Sequence, residues 1–269
     1  MSKLNDSQYL LKEQYQDAEK LNARIRLHVE FSTNKYGWLP WVFDHYNLPE
    51  ECRVLELGCG QGDLWRENID RIPPGWEITL SDFSPRMLAQ ARQNLKGQPH
   101  PFTFKVIDAQ SIPYDDDHFD AVIANHCIYH FPDRPKALSE ISRTLTPGGR
   151  FYTTTIGRAH LQEMAELASK FEHPIESLFN TDDNPFTLEN GAAQLGEWFT
   201  DIELDRYPDS LDVTEAAPLV DFIISSVRFD LDEYHQAEFL TFVEHELAAC
   251  GGVIRIKKDS GIFKALKST

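Results

Sequence analysis

Three glycines alternate with other residues in the segment Glu56-Leu57-Gly58-Cys59-Gly60-Gln61-Gly62, directly after a short apolar run. Glycine lets the chain turn tightly and lets a ligand approach the backbone without meeting side chains. The apolar run predicts a buried strand, and the residues from Asp63 onward predict a helix. A strand, a glycine loop and a helix in this order predict a ligand-binding loop.

The glycine spacing distinguishes between two kinds of ligand. Dinucleotide-binding loops have the pattern G-x-G-x-x-G, and the position of the third glycine is here Asp63. The carboxylates of Glu56 and Asp63 would also oppose a pyrophosphate at the helix N-terminus. A cationic sulfonium that carries an amino group fits these acids better, so a nicotinamide-dependent oxidoreductase is the weaker alternative.

Acidic residues follow the next two predicted strands. Asp82 ends the second strand, where a carboxylate can accept both hydroxyl hydrogens of a ribose. Its alternative role is to cap a helix, but Ser84 already supplies that cap. Asp108 ends the third strand and either accepts a hydrogen bond from an exocyclic amine or forms a turn. Phe83 either flanks an adenine or packs in the core.

Polar and aromatic residues follow the fourth predicted strand in the segment Asn125-His126-Cys127-Ile128-Tyr129-His130. In a doubly wound sheet, residues at this position face the ligand. His126 and His130 could each take a proton from a nucleophile, or each could be a hydrogen-bonded structural histidine. The sequence leaves this choice open.

The elements that must position these residues alternate regularly between strand and helix. Repeated βα units predict an α/β fold with a doubly wound, mostly parallel sheet and a helical cover. Near the end of the chain, a strand, a tight turn and a strand predict a hairpin, so the last strand should be antiparallel. The predicted strands are residues 53–57, 76–80, 102–107, 119–125, 149–155, about 200–207, 253–256 and 262–266.

Taken together, the motifs resemble the class I (Rossmann-like) S-adenosylmethionine-dependent methyltransferases. The similarity is closest to their small-molecule branch, which includes the ubiquinone/menaquinone-biosynthesis type. It covers about residues 50–156 and implies a seven-stranded sheet with an antiparallel last strand. The segments that carry it are Val54–Gly62, Asp82–Leu88, Asp108–Ala109, Phe119–Val122 and Leu145–Gly149.

The resemblance implies a role for each candidate residue. The three glycines would surround the methionine part of S-adenosylmethionine, with Glu56 and the main chain of Asn125 near its amino group. Asp82 would hold the ribose, and Asp108 with Ala109 would hold the adenine. The candidates near the transferable methyl group are His126, Tyr129 and His130. The remaining cofactor-binding candidates are Cys59, Phe83, Met87 and Tyr15, and no metal is expected.

Outside this core the sequence predicts a cover over the acceptor. Residues 1–50 are rich in aromatic side chains and predict an N-terminal helical lid. We expect residues 5–35 to be mobile, the alternative being a permanently docked helix. Residues 51–269 form the S-adenosylmethionine-binding methyltransferase domain. Helical substrate-cover insertions are predicted at about 157–198 and 210–250.

Composition narrows the acceptor class. Acidic residues number 43 and basic residues 26, and the net charge of −17 argues against nucleic acid and anionic membranes as substrates. The first residues contain no hydrophobic signal region, so we expect a cytoplasmic monomer or homodimer. The predicted reaction is methyl transfer to an O, N or C nucleophile of a small molecule. The alternative is a non-catalytic S-adenosylmethionine-binding sensor or partner subunit.

Overall fold

The structure, a computed structural model, describes residues 26–171, 184–225 and 232–268. Within these three ranges the strands are β1 (Glu51–Leu57), β2 (Gly75–Asp82), β3 (Phe102–Val106), β4 (Phe119–Asn125), β5 (Leu145–Ile156), β6 (Phe199–Arg206), β7 (Asp209–Val213), β8 (Ile254–Lys258) and β9 (Ser260–Lys267). The helices are α1 (Trp38–Asp44), α2 (Asp63–Glu67), α3 (Pro85–Asn94), α4 (Arg134–Thr144), α5 (Gln162–Ser169), α6 (Gly191–Leu195), α7 (Ala216–Ser225) and α8 (Glu233–Ala249).

Seven strands form one sheet in the order β3-β2-β1-β4-β5-β9-β6. The first five are parallel, and β9 is antiparallel to both β5 and β6. The strand order reverses beside β1, because β2 lies on one side of it and β4 on the other. The predicted doubly wound sheet with an antiparallel last strand is confirmed. The carboxyl ends of β1 and β4 therefore meet where such sheets bind ligands.

Successive apolar side chains of the central strands point to opposite faces of the sheet, so each face packs into an apolar core. Leu55 and Leu57 of β1 pack into one apolar cluster, and Val54 packs into the other. The first crossover helix begins at the predicted cap: the Ser84 hydroxyl caps α3, with Pro85 in the first turn. The Asp133 carboxylate caps α4 in the same way. These caps fix where each chain segment leaves the sheet edge.

The predicted hairpin between the last two strands is wrong. β8 pairs with β7 in a separate two-stranded sheet, whereas β9 joins the main sheet. Only Asp259 separates β8 from β9, and one residue is too short to form a hairpin turn. The chain instead passes from one sheet to the other at this buried aspartate. The strand at β7 also lies at the start of the insertion that the sequence predicts as helical.

A third apolar cluster lies between the N-terminal part of the chain and the small sheet. Leu27 and Phe31, from helical residues 26–31, pack with residues of α5, α7, α8, β7 and β8. Residues 1–25, which include Tyr15, lie outside the described residues. None of the helices in the described part of the chain combines the length and the apolar character needed to cross a membrane.

Candidate active site

The glycine loop after β1 is a left-handed turn held against β2. Gly58 and Gly60 have φ angles of 71° and 54°, a region that favours glycine. A Cβ added at Gly58 would lie 2.9 Å from the Cβ of Cys127, whereas a Cβ at Gly60 would meet no atom within 4 Å. The Cys59 N–H donates to the Ser81 carbonyl over 2.8 Å. Gly58 is therefore needed for packing, and Gly60 leaves an open space beside the loop.

Asp82, at the end of β2, contacts this loop directly. Its carboxylate accepts hydrogen bonds from the Gly60 N–H over 3.0 Å and from the Ser84 N–H over 2.7 Å. Burial raises the pKa of Asp82, and these two hydrogen bonds oppose that effect. Ser84 supplies the helix cap as expected, but Asp82 also has a structural role that the sequence did not indicate.

One cavity joins the carboxyl ends of β1, β2, β3 and β4. Ten of the residues predicted for the site line it together. These are Gly58, Gly60, Asp82, Phe83, Met87, Asp108, Ala109, Asn125, His126 and His130. Seven further lining residues were not predicted: Leu57, Ser84, Ile107, Gln110, Cys127, Phe131 and Pro132. Each of the seven is within two residues of a predicted one, so adjacency to the motifs is the signal that could have found them.

Four predicted residues do not line this cavity: Glu56, Cys59, Gly62 and Tyr129. Glu56 is buried on the opposite face of β1 from Leu55, and its carboxylate accepts a 2.6 Å hydrogen bond from the Trp65 indole N–H. Burial raises the pKa of Glu56 to about 7, although hydrogen bonds from Trp65 and Asn125 act to lower this pKa. The structure thus connects Glu56 to the site through Asn125.

The residues predicted to hold an adenine differ in exposure. Phe83 is 47% exposed, so the alternative that it packs in the core is wrong. Ala109 is buried against the cavity, and Asp108 accepts hydrogen bonds from the backbone N–H and the side-chain amide of Gln110. Asp108 therefore forms a turn and lines the cavity at the same time, so its two proposed roles are compatible.

His126 occupies a strained position at the end of β4. Its φ of 49° is left-handed, and its N–H donates to the backbone carbonyl and the hydroxyl of Thr154. Its ring lies 5.3 Å from that of Trp38, measured between centroids. Burial, and then the charges of His130 and Lys258, lower the pKa of His126 to about 4. The imidazole is therefore neutral at neutral pH.

Comparison with known proteins identifies this arrangement. Residues 55–153 match a family model described as a methyltransferase domain. The match contains the glycine loop, Asp82, Asp108 and the segment that carries His126. Over residues 55–153, the chain is therefore similar to a methyltransferase domain. The resemblance predicted from the motifs is confirmed over this segment.

Curated relatives are similar to parts of the chain. A demethylmenaquinone methyltransferase of Thermus thermophilus is 41% identical over 98 residues, which cover 36% of this chain and 44% of the relative. A malonyl-[acyl-carrier protein] O-methyltransferase of Magnetococcus marinus is 30% identical over 168 residues, covering 61% of this chain and 58% of the relative. Both alignments span less than two thirds of the relatives' own lengths.

A solved structure resembles the whole chain. The phosphoethanolamine N-methyltransferase 2 of Haemonchus contortus, in complex with phosphomonomethylethanolamine and S-adenosylhomocysteine, has a TM-score of 0.60 and is 20% identical. The similarity covers 100% of this chain and 61% of that chain. At this identity the comparison shows that the two chains share the methyltransferase fold.

Proposed function

We propose that the chain transfers a methyl group from S-adenosylmethionine to a small-molecule acceptor. The observation that carries the proposal is the cavity at the strand ends, in which the open space beside Gly60 adjoins Asp82, Asp108 and Asn125. The match of residues 55–153 to a methyltransferase domain supports it. A flat aromatic ring at Phe83 and acids at the ends of two neighbouring strands fit a nucleoside with free hydroxyls.

The residues of this chain would bind and orient the reactants. The Asp82 carboxylate keeps lone pairs for ribose hydroxyls, although both oxygens already accept backbone hydrogen bonds. Phe83 and Ala109 would enclose the adenine, with Asp108 at its edge. The loop backbone at Gly58 and Gly60 would lie against the methionine part. When bound, S-adenosylmethionine supplies an electrophilic methyl group.

Methyl transfer is an in-line displacement with a neutral leaving group, so positioning contributes most of the rate acceleration. A base is needed only where the nucleophile carries a proton that must leave. With a pKa of about 4, His126 is a weak base that serves better as a neutral hydrogen-bonding wall. His130 lines the same cavity and is the better candidate for a base.

Calorimetry tests the cofactor directly. We expect S-adenosylmethionine and S-adenosylhomocysteine to bind, and NAD to give no heat. Binding of NAD alone would overturn the proposal. Incubation with labelled S-adenosylmethionine and a metabolite extract should then yield a labelled small molecule. Tight binding without any labelled product would favour the non-catalytic alternative.

The remaining expectations are part of the same proposal. We place the acceptor between the methyltransferase domain and a cover formed by residues 1–50, 157–198 and 210–250. Of these segments, the described part of the chain includes α1, α5, α6, β7, α7 and α8. A cytoplasmic location, a monomeric or homodimeric state and the lack of nucleic-acid binding are predictions from the sequence alone.

A further inference from the structure

One segment of the N-terminal part of the chain contacts two consecutive cavity residues at the end of β4. The segment is residues 38–46, which comprise α1 and the residues directly after it. Its Tyr46 hydroxyl accepts a 2.9 Å hydrogen bond from the side-chain amide of Asn125. The centroid of its Trp38 ring lies 5.3 Å from that of His126. Both Asn125 and His126 line the cavity at the strand ends, so this segment supports one wall of the site.

The ring of Tyr46 is enclosed by aromatic side chains from two elements. It is buried and makes edge-to-face contacts with Phe43 of α1 and with Tyr152 of β5. The ring centroids are 5.8 Å and 5.0 Å apart, respectively, which is within the range in which aromatic pairs attract one another. β5 is also the neighbour of β4 in the sheet. Packing therefore gives the Tyr46 hydroxyl a defined position beside the end of β4.

Asn125 is the last residue before a change in backbone conformation. β4 ends at Asn125, and the next residue, His126, has the left-handed φ of 49°. A residue with a side chain keeps this conformation only where its surroundings hold it. The His126 N–H donates to the Thr154 carbonyl over 3.1 Å, and the Asn125 amide donates to Tyr46. The hydrogen bond to Tyr46 therefore helps to orient the peptide group between Asn125 and His126.

The strand order indicates which part of the cofactor would lie at Asn125. β3, β2, β1 and β4 are successive neighbours in the sheet. The cavity residues at their carboxyl ends are, in the same order, Asp108, Asp82, Gly58 and Asn125. A ligand with its adenine at Asp108 and its ribose at Asp82 would therefore reach Gly58 and Asn125 with its methionine part.

We propose that Tyr46 is a positioning residue for the methionine amino group of S-adenosylmethionine. Its hydroxyl orients Asn125 through the 2.9 Å hydrogen bond. An ammonium group donates hydrogen bonds and accepts none, so Asn125 would offer it the main-chain carbonyl oxygen. Tyr46 itself does not line the cavity and acts through Asn125. The inference rests on the proposed function, because it concerns the cofactor of that same site.

The hydrogen bond between Tyr46 and Asn125 also stabilises the fold, because buried polar groups without partners are costly. The positioning role and a purely structural role differ in the ligands that they affect. Loss of positioning weakens ligands that carry the amino acid part of S-adenosylmethionine. Loss of stability alone does not distinguish between ligands of the folded protein. A ligand without the amino acid part therefore separates the two roles.

Calorimetry with two ligands tests the proposal on Tyr46→Phe, which removes the hydroxyl and keeps the ring. S-adenosylhomocysteine carries the amino acid part, whereas methylthioadenosine keeps the adenine, the ribose and the sulfur without it. We expect the affinity for S-adenosylhomocysteine to fall about two- to tenfold, as for the loss of one neutral hydrogen bond. The affinity for methylthioadenosine should stay at the wild-type value. Equal losses for the two ligands, or no loss for either, would overturn the proposal.

Tyr152→Phe is the matched control. It removes the hydroxyl of the tyrosine that packs against Tyr46, and this hydroxyl donates to the backbone carbonyl of Asn47 over 3.3 Å. We expect wild-type affinity for both ligands in this variant. If Tyr152→Phe loses as much affinity for S-adenosylhomocysteine as Tyr46→Phe, packing rather than the hydrogen bond to Asn125 sets the affinity, and the proposal is wrong.

A double-mutant cycle tests whether Tyr46 acts through Asn125. Asn125→Ala removes the amide and should itself weaken S-adenosylhomocysteine binding. In that background Tyr46→Phe should change the affinity no further, because the hydrogen bond is already lost. Additive effects of the two substitutions would contradict the proposal, and this cycle needs no measurement with methylthioadenosine. If S-adenosylhomocysteine does not bind the wild type, the proposed function fails. If it binds the wild type and Tyr46→Phe equally well, only this inference fails.

Discussion

The carboxylate of Asp82 accepts the backbone N–H of Gly60 across 3.0 Å, so the acid at the end of β2 holds the glycine loop that follows β1. This hydrogen bond joins the two strands at the point where the strand order reverses. Asp82, which we propose as the ribose-binding residue, therefore also fixes the Gly60 backbone, which would contact the methionine part of S-adenosylmethionine. The two functions of Asp82 cannot be separated by deletion alone.

We therefore expect Asp82→Ala to lower both ligand affinity and thermal stability. Affinity for S-adenosylhomocysteine should fall at least about tenfold, because hydrogen bonds to a charged group are worth about 1.5–3 kcal/mol. The melting temperature should fall because the N–H groups of Gly60 and Ser84 lose their acceptor. Asp82→Asn keeps one acceptor oxygen and should lose affinity with a smaller loss of stability. Calorimetry and thermal unfolding measure the two effects.

The exposed Asp70 provides the control for this experiment, as Asp70→Asn. It should leave both the affinity and the melting temperature at the wild-type values. Wild-type affinity in a folded Asp82→Asn variant would restrict Asp82 to its structural role.

Gly60→Ala should separate ligand binding from folding. The left-handed φ of Gly60 makes alanine cost about 1–2 kcal/mol. The new Cβ meets no protein atom, so the protein should fold, but the methyl group occupies the space in which the ligand would lie. Gly97→Ala is a matched control, since Gly97 also has a left-handed φ and open surroundings, outside the cavity. Equal affinity for S-adenosylhomocysteine in both variants would show that the ligand does not approach Gly60.

Glu56 should make stability depend on pH. Its folded pKa of about 7 lies above the ordinary value of 4.5, so the folded state binds more protons between these values. The stabilisation is fully present below pH 4.5 and is lost as pH rises through about 7. It amounts to about 3 kcal/mol at about 1.36 kcal/mol per pKa unit. Glu56→Gln should therefore gain stability relative to the wild type as pH rises.

Urea unfolding at several pH values across this window checks the prediction. The exposed Glu77 supplies the control, because Glu77→Gln should give a constant difference from the wild type. A constant difference for Glu56→Gln would mean that Glu56 is ionised throughout the window.

The parts of the fold that local sequence determines were predictable. The glycine loop, the Ser84 cap and the apolar strands each depend on a few neighbouring residues, and their order along the chain defines the parallel sheet. The pairing of β7 with β8 joins residues that are far apart in sequence, and periodicity carries no information about such pairing. The hairpin was predicted wrongly because the apolar run at β8 fits either partner.

In the site, too, the features that depend on local sequence were predictable and those that depend on packing between distant segments were not. Ten predicted residues line the cavity because they follow strands whose ends must meet. The contact between Glu56 and Trp65 depends on how α2 packs against β1, and the sequence does not reveal this packing.

Residues 26–35, the described part of the predicted N-terminal lid, are held against β7 by hydrogen bonds. The Thr33 N–H donates to the Ser210 carbonyl over 2.9 Å, and the Asn34 N–H donates to Asp209 over 2.9 Å. Leu27 and Phe31 are buried in the third apolar cluster. These contacts favour the docked alternative for residues 26–35, whereas residues 5–25 lie outside the described part of the chain.

We therefore expect the amide hydrogens of Thr33 and Asn34 to exchange slowly whether or not S-adenosylhomocysteine is bound. Exchange followed by mass spectrometry measures this, because protected amides must open before they exchange. The peptide that covers residues 5–25 should become more protected with ligand if that segment closes over the acceptor. Fast exchange at Thr33 and Asn34 without ligand, slowed by ligand, would instead extend the mobile lid to residue 35. Protection of residues 5–25 that is equal in both states would leave no lid, and the whole N-terminal segment would then be structural.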